Sequence, residues 1–175
     1  MKRTRTLRRS LMIFTAGLFF WQGGASFCMG GGKDSSLQKA FSDVFPDASD
    51  LMILTPNSRF SRVPRVVEMR NGENLLGYAV ELKVVSRSGP FLIQVAVSAD
   101  ETVLDVQIPK YPHQRGRGVK KSVFLEQFKG VSYGEPLKVG EQIDAVSGAT
   151  SSGTAVTTGV RQALLLVHKY RKEDT

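Results

Sequence analysis

An α+β domain behind an export segment is the fold that this sequence predicts, and three observations predict it. Between Val63 and Pro109 apolar residues recur with a period of two, the period of a strand. On either side, near 34–45 and 152–170, they recur at helical spacing. Turn signals fall between the strand runs at Asn71-Gly72, Ser88-Gly89 and Ala99-Asp100, so the strands join as antiparallel hairpins. A length of 175 residues suits one domain with a proper core and is too short for two of ordinary size plus a leader.

The chain opens with Lys2, Arg3, Arg5, Arg8 and Arg9, followed by the apolar run Leu11 to Trp21. That run has signal-peptide length and falls short of the roughly 20 residues a spanning helix prefers. Residues 1–29 are therefore read as a signal peptide, with Gly23 and Ala25 near a cleavage point before Ser26, or as a retained membrane anchor. Either way the positive end stays in the cytoplasm and the rest is exported to the outer face of the cytoplasmic membrane or the periplasm. Cys28 is the only cysteine, so no intramolecular disulfide forms. It is a candidate lipidation site, although Phe27 and Ala25 do not suit that signal.

Residues 30–33 read as a Gly-rich linker, and the folded domain as 34–175. Asp34 or Ser35 can cap a helix through about Phe45, with Leu37, Ala40, Phe41, Val44 and Phe45 on one face and Pro46 as its stop. A strand over Val63–Met69 follows, with Pro64 at its start or at a sheet edge. Tyr78, Val80, Leu82 and Val84 then alternate with their neighbours, as do Phe91, Ile93, Val95 and Val97, and after them Leu104, Val106 and Ile108. This predicts a meander with one wet face. A second helix is expected over Lys120–Phe128, with Val123, Phe124, Gln127 and Phe128 clustered as a lid and Gly130 ending it. The last helix, about Ser152–Tyr170, turns Val156, Val160, Ala163, Leu164 and Val167 to the core. Its basic tail of His168, Lys169, Arg171 and Lys172 complements the dipole.

The formal charge is +8, but the five leading cations account for most of it and leave 19 basic against 16 acidic residues. That balance is no footprint for a polyphosphate backbone, and no nucleic-acid motif accompanies it. Two separated histidines and one cysteine supply no metal-ligand cluster. The spacing Gly148-x-x-x-x-Gly153-Thr154 is Walker-like, but Thr154 stands where the phosphate-reaching lysine belongs. An NTPase is set aside.

The run Asp144-Ala145-Val146-Ser147-Gly148-Ala149-Thr150 places hydroxyls at the mouth of the last helix. Gly148 and Ala149 remove side-chain bulk there, and a helix start offers unpaired N–H groups and a positive dipole end to an anion. The plainer reading is helix capping by Ser and Thr alone.

This run resembles the flavinylation motif of the FMN-binding domain family, which includes the G-type subunits of Rnf complexes and the C-type subunits of Na+-translocating NADH:quinone reductases. Asp144, Ser147, Gly148, Ala149 and Thr150 match the motif, and Gly77-Tyr78 and Phe124 to Gly130 follow the family pattern upstream. The resemblance covers about 75–168. It implies FMN bound covalently to Thr150 through phosphate, transferred from FAD by a separate flavin transferase, with Asp144, Ser147, Gly148, Ala149 and Ser151 as cofactor-binding residues. Where many members carry a His-Glu-Thr-Pro-like run, this chain has Tyr111-Pro112-His113-Gln114-Arg115-Gly116-Arg117-Gly118, without the acidic residue. That loop reads as solvated, with a position over the flavin as the alternative.

The function so implied is an extracytoplasmic flavoprotein that relays electrons between membrane electron-transfer proteins or from a quinone-linked donor. A flavin-bound sensory or regulatory module and a non-covalent FMN-binding domain are the alternatives.

Overall fold

A computed structural model describes residues 35–54 and 64–173. They lie within the second of two compact units, Gly31–Thr175; the first, Met1–Gly30, lies outside the described residues, and with it the expected signal or anchor, Cys28 and the first residue of the linker. The rest of the linker, Asp34 and Val63 also lie outside the described residues.

Five strands form one antiparallel sheet in the order β1-β2-β3-β4-β5, each paired with its neighbours in sequence. They are β1 (Asp50–Ile53), β2 (Arg65–Asn71), β3 (Asn74–Ser86), β4 (Gly89–Ser98) and β5 (Val103–Gln107). Helix α1 (Ser35–Ala40) precedes them. Helix α2 (Ser122–Leu125), flanked by two short 3-10 turns, and the long α3 (Thr150–Glu173) follow them. The α+β class and the hairpin connections expected from the sequence are present.

The core has two parts. On one face Val80, Leu82, Ile93, Val95 and Val97 pack with Val156, Val160, Ala163, Leu164 and Val167 of α3. On the other, Val67, Met69, Ala79 and Ala96 pack with Leu37, Phe41 and Phe45. The expectation of one wet face is therefore corrected: α1 and the turn after it cover part of the second face. This explains why Ala79 and Ala96, placed on the polar side by alternation, are fully buried. Their small side chains leave room for Phe45 and Phe41 to close over them.

Several boundaries also differ. The first helix ends at Ala40 rather than Phe45, and its chain continues in turns in which the Val44 and Phe45 N–H groups both donate to the Phe41 carbonyl. Strand β1 is additional to those the sequence predicts; four residues with alternating half-burial are too few for a periodic signal. The register shifts where β5 meets Ala96 and Val97, because Val97 pairs with Val103 while Ala96 pairs with Asp105. Leu104 is the extra residue. Val103 and Val106 therefore both join the core on the α3 side of the sheet, while Leu104 packs with the α1 cluster, opposite to the side its alternation with Val106 indicates. A bulge does this by inserting one residue into a period of two.

The expected helix over Lys120–Phe128 is broken into a 3-10 turn (Arg117–Lys120), α2 and a second 3-10 turn (Glu126–Phe128). Phe124 and Phe128 are buried edge to face, 5.3 Å apart, but Val123 is 74% exposed and leaves the cluster assigned to it. Helix α3 is longer than expected at both ends. Packing holds it, not propensity. Gly153 and Gly159 each cost about 1 kcal/mol relative to alanine, whereas each fully buried Val or Leu on its inner face returns about 1.5–3 kcal/mol. Gly159 lies where a Cβ would run into Ile93 and stand 2.7 Å from Val84 Cγ1, so the helix rests directly on the sheet.

Candidate site at the start of helix α3

Thr150 is the first residue of α3 and is exposed. Gly148 turns the chain into the helix with φ +71°, a left-handed conformation that costs other L-residues about 1–2 kcal/mol. Ala149 is buried, and its carbonyl accepts the first helical bond from Gly153 N–H at 2.8 Å. Ala149 therefore occupies the N-cap position with a methyl group that cannot accept a hydrogen bond. Among the described residues no carbonyl or side chain accepts from the Thr150, Ser151 or Ser152 amide.

Capping by Ser147, the plainer reading of the motif, is thus not what the structure shows, and Asp144 does not cap the helix either. Both are exposed. Asp144 uses its main-chain N–H, which donates to Gln127 Oε1 at 2.6 Å and ties the loop to the segment around α2. Ser151 does make a contact. Its Oγ accepts from the Arg87 N–H at 2.9 Å, which joins the first turn of α3 to the β3–β4 hairpin.

The loop 111–118, read from the sequence as solvated, packs against this helix start. Tyr111 Oη donates to the Arg115 carbonyl at 2.8 Å and lies 2.8 Å from Ser152 Oγ. With its one proton so used, Tyr111 accepts from the Ser152 hydroxyl. Gly116, at φ +85°, passes so close that a Cβ there would run into both Ser152 Oγ and Tyr111 Oη. His113 Nε2 lies 2.9 Å from the Pro90 carbonyl, and Tyr111 packs edge-on between Phe91 and His113.

Beside the first turn runs an open groove of about 450 Å³, bounded by β3 and its hairpin and by α3, within the size range of small-molecule sites. Lys83, Val85 and Arg87 line one side. Thr154, Thr158 and Gln162 line the other, one helical turn apart. Among the described residues neither Lys83 nor Arg87 pairs with a carboxylate. An exposed hydroxyl, three uncapped amides and two unneutralised cations suit a phosphate ester. The groove suits a larger planar body.

Of the residues named from the sequence, Thr150, Ser151, Gly148 and Ala149 come together at the helix mouth. Asp144 and Ser147 stand on the approach loop. Sequence reasoning missed Arg87, Ser152 and the groove, and named Tyr111 only within a loop read as solvated or lying over the flavin. One signal was present: Thr150, Thr154, Thr158 and Gln162 stand four residues apart, a polar stripe along a helix with an apolar inner face.

A meander sheet bedding one long helix, with the helix mouth left open beside a cationic groove, defines a small α+β domain. Residues 87–165 match the model of the FMN-binding domain family. The chain is 28% identical over 138 residues to the G-type subunit of the ion-translocating oxidoreductase complex of Methanosarcina acetivorans, covering 73% of this chain and 72% of the relative. It is 27% identical over 152 residues to the G-type subunit of the Na+-translocating ferredoxin:NAD+ oxidoreductase complex of Acetobacterium woodii, covering 74% of this chain and 73% of the relative. No helix among the described residues is long and apolar enough to cross a membrane.

Proposed function

We propose that this protein carries FMN in phosphoester linkage on Thr150 and relays electrons between redox partners of a membrane complex, on the outer side of the cytoplasmic membrane. The observation that carries the reading is the placement of Thr150: an exposed hydroxyl on the first residue of α3, directly after a glycine turn, inside the stretch that matches the FMN-binding family. Membership of the two relatives in ion-translocating oxidoreductase complexes supports the membrane redox partners. The cationic, apolar opening of the chain supports export.

A flavin transferase supplies the cofactor in this reading. The Thr150 oxygen attacks the FMN-side phosphorus of FAD, the pyrophosphate bond breaks, AMP leaves, and the hydroxyl proton passes to solvent or to a base of the transferase. The protein is the acceptor in that reaction. Its own residues would hold the product: the amides of the first turn would donate to the ester phosphate, and Arg87 would offset its charge. Bound flavin supplies the electron-carrying chemistry, while protein groups beside the ring set its potential. Covalent attachment keeps the cofactor where free FMN is scarce.

The test is co-expression of the full chain with a flavin transferase, followed by denaturing electrophoresis and detection of flavin fluorescence on the protein band. The wild type and Thr154→Ala bands should fluoresce, and Thr150→Ala should be dark. Fluorescence on the Thr150→Ala band refutes the attachment site.

A further inference from the structure

Between Asp105 and Glu126 the chain carries Lys110, Arg115, Arg117, Lys120 and Lys121 and no carboxylate. All five cations are exposed, and among the described residues none of them pairs with an acid. What holds this segment is apolar, since Tyr111, Val119 and Phe124 are buried. Of the five cations, only Arg117 makes a side-chain hydrogen bond among the described residues, from Nε to the His113 carbonyl at 3.2 Å. The charges therefore face solvent, where like signs repel.

The segment forms a collar around the start of α3. Gly116 lies against Ser152, Gly118 against Val146 and Ala149, and the Phe124 ring against Gly153, while Gln127 Oε1 accepts the Asp144 N–H at 2.6 Å. Arg115 and Arg117 flank the first of these contacts, and Lys120 and Lys121 fall between the second and the third. Glu126 and Asp144 are the exposed acids beside them, too few to cancel the charge.

We propose that residues 110–123 are the docking surface for the redox partner of this protein, and that the partner meets them with a carboxylate-rich protein face. The inference rests on the reading in which Thr150 carries FMN, because the collar then surrounds the electron-bearing group. Complementary charge speeds encounter and sets orientation, and redox encounters use small, weak interfaces. Val123, 74% exposed, supplies a small apolar centre among the cations. A bilayer surface asks for more, because interfacial binding scales with apolar area as well as charge, and Val123 is the one large hydrophobic side chain that the segment exposes.

The experiment mixes the flavinylated full chain, its flavin reduced, with the ferric haem domain of cytochrome b5 as an acidic probe. Each two-electron-reduced flavin reduces two haems, one electron to each, and releases its two protons as it is reoxidised. Lys120→Gln/Lys121→Gln removes two charges from the collar, and Lys169→Gln/Lys172→Gln removes two from the exposed far end of α3. At low ionic strength the first variant should reduce the probe severalfold more slowly than the second, and added salt should close the gap. With basic cytochrome c as acceptor the first variant should be no slower. Amide exchange in the full chain, labelled or not, should slow at 115–123 when the oxidised probe is added.

Equal rates from the two variants, both with labelled bands, overturn the docking surface and leave the attachment standing. Unlabelled bands refute the FMN reading and with it the electron exchange, and exchange at 115–123 that the probe leaves unchanged then overturns acidic docking as well. Slowing at 115–123 by phosphatidylglycerol vesicles, with none by the probe, overturns the proposal in favour of a lipid surface.

Discussion

Tyr111 Oη and Ser152 Oγ lie 2.8 Å apart in the protein interior, and through this contact a loop without regular structure is fixed to the first turn of α3. Tyr111→Phe leaves the Arg115 carbonyl without its donor and the Ser152 hydroxyl without its acceptor. The expected loss is about 1–3 kcal/mol, the cost of stranding buried polar groups. Urea unfolding should show a lower midpoint at unchanged slope, and amide exchange should quicken at 113–117 before it does in the sheet.

At Gly148 nothing lies within 4 Å of where a Cβ would stand, so substitution there tests the backbone alone. Tolerance should follow tolerance of positive φ: Gly148→Asn best, Gly148→Ala worse by about 1 kcal/mol, and Gly148→Val worst. Flavin incorporated per mole of protein, measured by absorbance after denaturation, should decline in the same order. An equal yield in all three would show that the turn does not present Thr150.

Gly159→Ala sets two effects against each other. Alanine gains about 1 kcal/mol of helix propensity, but its methyl group meets Ile93 and Val84 in a packed core, where overpacking costs about 1–3 kcal/mol. The clash should win: the Ile93 Cδ1 end can swing aside, but Val84 Cγ1, 2.7 Å away on a stiff β-branched side chain, cannot. A lower thermal midpoint checks this, and Gly159→Ala combined with Ile93→Val should recover part of the loss.

Glu101 sits at φ +62° in the β4–β5 turn and holds the far end of α3, with His168 Nδ1 at 2.8 Å and Arg171 Nη1 at 3.3 Å. Glu101→Ala removes both contacts and keeps the strained backbone, whereas Glu101→Gly removes the contacts and relieves the strain. The glycine variant should therefore be the more stable of the two. The contacts are partly solvated, so they are worth no more than about 1 kcal/mol each and should weaken in high salt.

Asp50 carries a pH dependence of known sign. The Ser49 hydroxyl and then the Gly72 N–H donate to its carboxylate, holding its carboxyl below the ordinary carboxylate range. A depressed folded pKa means that the stabilisation is present above the unfolded value and lost as pH falls through the folded one. The contact between β1 and the β2–β3 turn should thus loosen in acid. NMR titration of the Gly72 amide should follow the Asp50 carboxyl, and Asp50→Asn should remove the dependence.

Elements whose signals are local can be read from the chain without its fold. The alternation from Tyr78 to Val97, the turn glycines at 72 and 89, the inner face of α3 and the hydroxyl run ending at Thr150 all report what one stretch of chain prefers. Packing settles the rest: the cover of α1 over Ala79 and Ala96, the reversal of Leu104 by one bulged residue, the outward turn of Val123, and the uncapped mouth of α3. It also brings Tyr111 to Ser152 and Arg87 to Ser151, and leaves a groove between β3 and α3. Periodicity shows which side of an element avoids water, while a site is made by contacts between residues far apart in the chain. Such contacts depend on register and packing, which no local pattern encodes.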